Sequence, residues 1–317
     1  MTEQPPQPPS PPTPSAPGPT LRRNALSGKW TAITAARGVR PSDLGGSSVV
    51  CPFCEGNEAL TPPELDAFRD DGGVRDRPGW RVRVVPNKYP ALAPPQGRNE
   101  VIVHSPAHTV DLERLPPEQV TDVVRMYQRR LAASEAAGDA AATVILNRGP
   151  EAGASLAHPH SQLFGTPIVP PLLEAELERF AAYEQESRGC LLCALWRKAG
   201  ERLVFEDELV AWTPNGARFG YELWLAPREH QEAFGRAAAP VVARALRRAL
   251  RALDAVTGNG ALNYWLHTAP FASAGPFHWH IEIAPKTAVL AGFELGTDIA
   301  VNVVDPVRAA ALLRAAL

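Results

Sequence analysis

The segment His158-Pro159-His160-Ser161-Gln162 carries two imidazoles two residues apart, just after a Gly/Ser/Ala loop and just before Leu163-Phe164. Side chains of an extended segment alternate between faces, so the spacing predicts both rings on one side of a strand. Neutral imidazole is a metal ligand and, near pH 7, a nucleophile. Alone, the pair fits surface or satisfied core histidines equally well. The cysteines narrow the choice.

Cys51/Cys54 and Cys190/Cys193 form two Cys-x-x-Cys pairs with no cysteine left over. In a chain of cytosolic character this arrangement favours metal over structural disulfide. A redox pair is the rival at Cys51/Cys54, but neither pair is expected to open a helix in a βαβ unit. Two thiolates from a tight turn and two imidazoles from other elements make a tetrahedral set suited to zinc. We assign Cys51, Cys54, His108 and His158 to the first site. Four protein ligands close the shell, so the ion would be structural, tying the front loop to the strand of His160. The second set is Cys190, Cys193, His230 and His278, where two buried cysteines acting as small apolar residues are the plain alternative. His104 competes with His108, but the second half has its histidine only at the later place, so His104 is read as structural.

The elements that must position these residues repeat. Trp30 to Thr34 reads as a strand, followed by a basic loop at Arg37 and Arg40. After the first cysteine pair and a Pro/Asp/Gly-rich loop, strands at Trp80 to Val85 and Glu100 to Val103 precede a helix from Pro116 to about Ala137, whose apolar residues recur at helical spacing. Strand Thr143 to Leu146 then leads to the histidine segment. A helix at Leu172 to Ser187 connects to the second unit, which opens at Cys190 to Trp196. Strands at Leu203 to Trp212 and Tyr221 to Leu225, a helix at Pro240 to Val256, and strands at Ala261 to Leu266 and Phe277 to Ile283 follow. Cys51-x-x-Cys54, His108 and His158-x-His160 correspond in order to Cys190-x-x-Cys193, His230 and His278-x-His280. Two duplicated halves account for this.

The chain has 317 residues and 45% hydrophobic composition, enough for two domains with cores of their own. Its formal net charge of -2 offers no basic surplus for nucleic acid or anionic lipid. No apolar run is long enough to cross a bilayer, and Met1 to Thr20 is Pro-rich without the features of a signal peptide. A disordered tail at 1–20, halves at 21–170 and 171–317, and a cytoplasmic location are expected.

The sequence resembles the galactose-1-phosphate uridylyltransferase family of the histidine-triad superfamily from about Asn24 to the end. The carriers are Cys-Pro-Phe-Cys-Glu-Gly-Asn-Glu (51–58), Val-Val-Pro-Asn-Lys-Tyr-Pro-Ala-Leu (84–92), Ser-Pro-Ala-His (105–108), Asn147-Arg-Gly, Gly-Ala-Ser-Leu-Ala-His-Pro-His-Ser-Gln (153–162) and Gly-Phe-Glu-Leu-Gly (292–296). The resemblance implies an α+β fold of two histidine-triad-like halves with antiparallel sheets and flanking helices. It also implies a ping-pong reaction in which His160 attacks the α-phosphorus of a UDP-sugar and a second sugar 1-phosphate takes the nucleotidyl group.

Gln162 stands where histidine-triad hydrolases carry a third histidine; an amide can hold a phosphoryl oxygen without supplying a proton, which favours transfer over hydrolysis. By the same resemblance, Arg37 and Arg40 lie near the diphosphate, Asn87, Asn147 and Ser155 near the nucleotide and phosphates, and Glu294 on the hexose. A homodimer is expected. Some members carry a metal set matching Glu176, His267, His278 and His280, whereas an adenylyl-transferring subgroup carries the second cysteine set and a serine at the place of Ser161. His278 cannot serve both sets fully. UDP-glucose to galactose 1-phosphate transfer is the preferred reading; ADP-glucose phosphorolysis and a zinc-stabilised nucleotide-binding protein without turnover are the alternatives.

Overall fold

The computed structural model describes residues 18–34, 50–70, 72–108, 110–273 and 275–317. Arg37, Arg40 and residues 1–17 of the expected tail lie outside the described residues. Thr20, expected to end that tail, instead opens a strand: β1 (Thr20–Arg23) pairs antiparallel with β2 (Trp30–Ile33).

The remaining strands are β3 (Asp66–Arg69), β4 (Trp80–Pro86), β5 (Arg98–Val103), β6 (Ala141–Arg148), β7 (His160–Thr166), β8 (Leu203–Glu206), β9 (Leu209–Trp212), β10 (Leu223–Pro227), β11 (Leu262–His267) and β12 (His280–Pro285). They form one ten-stranded sheet in the order β3-β4-β5-β7-β6-β11-β12-β10-β9-β8, every neighbouring pair antiparallel. The order is a palindrome: three strands inward from either edge, then the last strand of that half, then its fourth at the centre. The central join pairs β6 with β11, Val144 opposite Leu266.

The helices are α1 (Pro117–Ala136), α2 (Pro171–Ser187), α3 (Leu191–Arg197), α4 (Ala239–Thr257), α5 (Gly292–Thr297) and α6 (Pro306–Ala315). Pro117 enters α1 at its first turn, where a missing N–H costs no intrahelical bond. Gly258 ends α4 at φ +72°, a left-handed cap that a side chain would strain. Both helices turn their apolar faces to the same side of the sheet. Val120, Val123, Tyr127, Leu246, Leu250 and Leu253 pack there with Val84, Ile102, Leu163, Tyr264 and Ile283. Fully burying each such side chain contributes about 1.5–3 kcal/mol, so this layer dominates stability. The opposite face carries two smaller clusters: Phe53, Val85, Val101 and Val103 under the first cysteine loop, and Phe180, Leu192, Trp212 and Phe277 under α2 and α3.

The strand alternation sets the site. Val103 lies opposite His160 and Val101 opposite Gln162, so these share the face of the cysteine loop. Ile102 lies opposite Ser161 on the helix face.

Three expectations are corrected. Leu203 to Trp212 is a hairpin rather than one strand, because Asp207-Glu208 breaks the run. Asp66–Arg69, inside a polar loop by composition, is an edge strand against β4. Phe277 to Trp279 precede β12 instead of belonging to it, and Tyr221-Glu222 likewise precede β10. Cys190 stands at a helix start, as the N-cap of α3, but no βαβ unit surrounds it, in line with the expectation. No helix among the described residues is long and apolar enough to cross a membrane.

Candidate active site and metal centres

His160 opens β7 and is 9% exposed. Its Nδ1–H donates to the carbonyl oxygen of His158 at 2.8 Å, which fixes the tautomer in which Nε2 carries the lone pair. The Phe53 ring meets the imidazole edge-on at 5.2 Å between centroids. His160 borders a cavity of about 990 Å³, its open mouth included, together with Phe53, Asn87, Tyr89, Ser155 and Gln162. Asn147 borders a neighbouring recess that His160 also lines, and accepts from Asn263 Nδ2 at 2.7 Å. The site therefore brings His160, Gln162, Asn87, Asn147 and Ser155 together. Glu294 is elsewhere: it lies on α5, accepting from the Ala291 N–H at 3.0 Å, and does not line this cavity.

The two histidines of His158-x-His160 lie on the same side, as the spacing predicts: the Phe53 ring of the cysteine loop meets both, at 6.0 and 5.2 Å between centroids. The strand begins only at His160, and His158, held before Pro159, turns toward the cysteines. His158 Nδ1 lies 3.6 Å from Cys51 Sγ and 3.7 Å from Cys54 Sγ, and Cys54 Sγ lies 3.3 Å from His108 Nδ1. All four donor atoms fall within 4.8 Å of one another. A tetrahedral zinc with ordinary Zn–S and Zn–N bonds separates its sulfur and nitrogen ligands by about 3.5 Å. These spacings fit. The carbonyl oxygen of Ser105 accepts from His158 Nε2–H at 2.8 Å, fixing the tautomer that points Nδ1 at the thiols. Burial pushes the Cys51 thiol up to about 11, so a thiolate there needs a cation beside it.

The second half repeats the arrangement. His280 Nδ1–H donates to the His278 carbonyl oxygen at 3.0 Å, and His278 Nδ1 lies 3.4 Å from Cys190 Sγ and 3.5 Å from Cys193 Sγ, with His230 completing the group. The hydrogen bond from Cys193 and the neighbouring His278 pull the Cys190 thiol well down, as expected of two sulfurs holding one proton.

His278 is therefore committed to the cysteines and cannot belong to the set with Glu176, His267 and His280. The structure gives those three a different fourth member, Glu282. Glu176 Oε1 is 3.0 Å from His267 Nδ1, and Glu282 Oε1 is 3.7 Å from His267 Nδ1 and 3.6 Å from His280 Nε2. The cysteine set is assembled as posed, and the Glu176 set forms a separate cluster with Glu282 in the place expected of His278. Burial alone would lower His280, but the hydrogen bond to Glu282 and the charges of Glu176 and Glu282 raise it. Glu282 occupies on β12 the place Gln162 holds on β7, and its Oε2 accepts from Arg218 at 2.7 Å.

Sequence reasoning missed the polar knot behind the strand of His160. Ser161 Oγ, fully buried, lies 2.8 Å from His104 Nε2 and within hydrogen-bond reach of the Tyr127 and Tyr264 hydroxyls, which are 2.6 Å apart. His104 is thus structural, as expected. Burial drives it well below the usual imidazole range, reinforced by His160 and His158, so it stays neutral. Period-two alternation from His160 would have placed Ser161 on the helix face; Tyr127 on the apolar face of α1 was the remaining signal.

Comparison with known proteins agrees with this geometry. The family model "Galactose-1-phosphate uridyl transferase, N-terminal domain" matches residues 83–170. The galactose-1-phosphate uridylyltransferase of Streptomyces lividans is 30% identical over 74% of this chain and 70% of its own. The chain belongs to the galactose-1-phosphate uridylyltransferase family. It is a nucleotidyltransferase of the histidine-triad superfamily, which sets aside the reading as a binding protein without turnover. Two full-length relatives divide on the substrate. The Thermotoga maritima galactose-1-phosphate uridylyltransferase is 29% identical over 93% of this chain and 97% of its own. An ADP-glucose phosphorylase of Arabidopsis thaliana is 29% identical over 93% and 92%; its crystal structure with bound ADP-glucose aligns with a TM-score of 0.77 over 94% of this chain and 99% of that one.

Proposed function

We propose that His160 is the nucleophile of a ping-pong nucleotidyl transfer from UDP-glucose to galactose 1-phosphate. The observation that carries the reading is the His160 Nδ1–H bond to the His158 carbonyl, which holds Nε2 as the attacking atom beside a cavity lined by Gln162, Ser155 and Asn87. In the first half-reaction Nε2 bonds to the α-phosphorus and the bond from that phosphorus to the bridging oxygen breaks, so glucose 1-phosphate leaves with the electron pair. The imidazole becomes cationic as this happens, and the His158 carbonyl stabilises that charge. In the second, a phosphate oxygen of the acceptor attacks the same phosphorus and the P–N bond breaks.

The first cluster would hold a structural zinc through Cys51, Cys54, His108 and His158, anchoring the carbonyl that orients His160. On this reading residues 21–170 form the catalytic half and 171–317 its counterpart. Glu294 sits away from the cavity on a segment exposing Val289, Leu295 and Val303, which supports a homodimer in which this segment meets the other subunit.

The second reading, ADP-glucose as donor and inorganic phosphate as acceptor, is favoured by Ser161 and by the intact second cysteine cluster, which the sequence shares with the adenylyl-transferring subgroup. Enzyme loaded from each donor and then given galactose 1-phosphate or phosphate separates the two. Rapid discharge of a uridylyl adduct by galactose 1-phosphate supports the first; discharge of an adenylyl adduct by phosphate replaces it with the second.

A further inference from the structure

Gln162 lines the cavity beside His160, and its amide presents either an oxygen or an NH2 to a phosphoryl group there. Two backbone amides decide which. The Tyr89 N–H donates to Asn87 Oδ1 at 2.9 Å. A backbone N–H cannot accept, so Asn87 must turn its oxygen to Tyr89 and its Nδ2 inward. That Nδ2 donates to Asn99 Oδ1 at 2.9 Å and to Gln162 Oε1 at 3.2 Å. The Ala91 N–H donates to Asn99 Oδ1 at 3.3 Å, which turns Asn99 Nδ2 toward Gln162 Oε1 at 3.3 Å. Both asparagines therefore offer donors to one oxygen of Gln162, leaving its NH2 as the group for the cavity. Asn99 is 5% exposed, on β5 one residue from Glu100, and does not line the cavity. Its side-chain hydrogen bonds reach Asn87, Gln162 and the backbone, so any effect on chemistry passes through those two amides, and the Gln162→Ala background separates the part carried by Gln162.

We propose that Asn99 is a positioning residue that locks the Gln162 amide with its NH2 toward the transferring phosphoryl group, making Gln162 an obligate donor in the transition state. The inference rests on the reading of His160 as nucleophile. An NH2 held in place stabilises the charge growing on the non-bridging oxygens without reorganising during the reaction, whereas a rotated amide would set its oxygen against them. The sequence contains no family landmark at Asn99; the inference comes from the orientation forced at Tyr89 and Ala91.

The test is the rate of nucleotidyl adduct formation on full-length protein with saturating UDP-glucose or ADP-glucose, alongside the dissociation constant for the donor. Asn99→Asp keeps the acceptor for Ala91 and Asn87 but replaces the donor facing Gln162 with a second acceptor, which requires the Gln162 amide to rotate. The loading rate should fall about 100-fold, the loss typical of one transition-state donor, while the donor's dissociation constant changes less than about threefold. Asn99→Ala, which leaves Asn87 as the only partner, should lose less. In a Gln162→Ala background Asn99→Asp should cost no more than about twofold, because the amide it misaligns is gone. Equal losses in both backgrounds, or Asn99→Asp loading at the wild-type rate, would overturn the inference. Wild-type protein that loads from neither donor would instead contradict the His160 reading and this inference with it; normal wild-type loading with an indifferent Asn99→Asp contradicts the inference alone.

Discussion

His158 serves His160 twice: its carbonyl accepts from His160 Nδ1 at 2.8 Å, and its own Nδ1 faces Cys51 and Cys54 at 3.6 and 3.7 Å. An ion bound by the cysteines would thereby fix the carbonyl that orients His160. The same relation holds between His278 and His280 in the second half, where Nε2 of the later histidine meets carboxylates instead of a substrate cavity.

The two cysteine clusters are separate in space, so metal should leave them independently. Elemental analysis of Cys51→Ser/Cys54→Ser should show one zinc per chain fewer than wild type, with the second cluster still filled, and Cys190→Ser/Cys193→Ser should show the converse. Loss of the first zinc should lower the melting temperature by about 5–10 °C, given the several kcal/mol a structural zinc contributes. Unchanged metal content in either variant would contradict the assignment.

The buried hydroxyl pair gives a pH dependence. Burial holds the Tyr127 phenol well above the usual value and pushes Tyr264 up to about 12. A group whose folded pKa is raised contributes stability below its unfolded pKa, about 10 for tyrosine, and loses it as the pH climbs through the folded value. Stability should therefore fall between pH 10 and 12. In an absorbance titration at 295 nm, Tyr127 and Tyr264 should ionise only as the fold opens, and the Tyr127→Phe/Tyr264→Phe variant should lack that late step. Ionisation of both near pH 10 with the fold intact would refute it.

Gln162 supplies donors but no titrating proton, which disfavours transfer to water. Gln162→His should raise acceptor-independent release of nucleotide by about tenfold or more, since a positioned general acid–base contributes about 10²–10⁴. Release unchanged from wild type would mean that the amide is not what suppresses hydrolysis.

Much of this was legible in the sequence where a local pattern had one physical outcome. The helical spacing of Val120, Val123, Tyr127 and Leu131 matches the buried face of α1, and the two Cys-x-x-Cys turns meet the histidines their order suggested. What was not legible is which group each histidine joins. With β7 starting at His160 and β12 at His280, His158 and His278 lie in the irregular approach and reach the cysteines, while His280 meets Glu282, Glu176 and His267. Spacing predicts the shared side but not the partners that other elements bring to it. The edge strand Asp66–Arg69 was hidden because polar composition reads as loop whether or not a neighbouring strand pairs with it, and the Asp207-Glu208 turn because two polar residues between apolar runs also fit a continuous strand.

The central claim is that His160 carries the nucleotidyl group. Intact-protein mass spectrometry after mixing with UDP-glucose or ADP-glucose, without acceptor, tests it most directly. The account predicts a uridylyl mass increment on wild-type protein, located on His160 by peptide mapping and absent from His160→Ala. An adenylyl increment at His160 would keep the nucleophile and change the donor, whereas an increment surviving in His160→Ala, or none from either donor, would contradict the account.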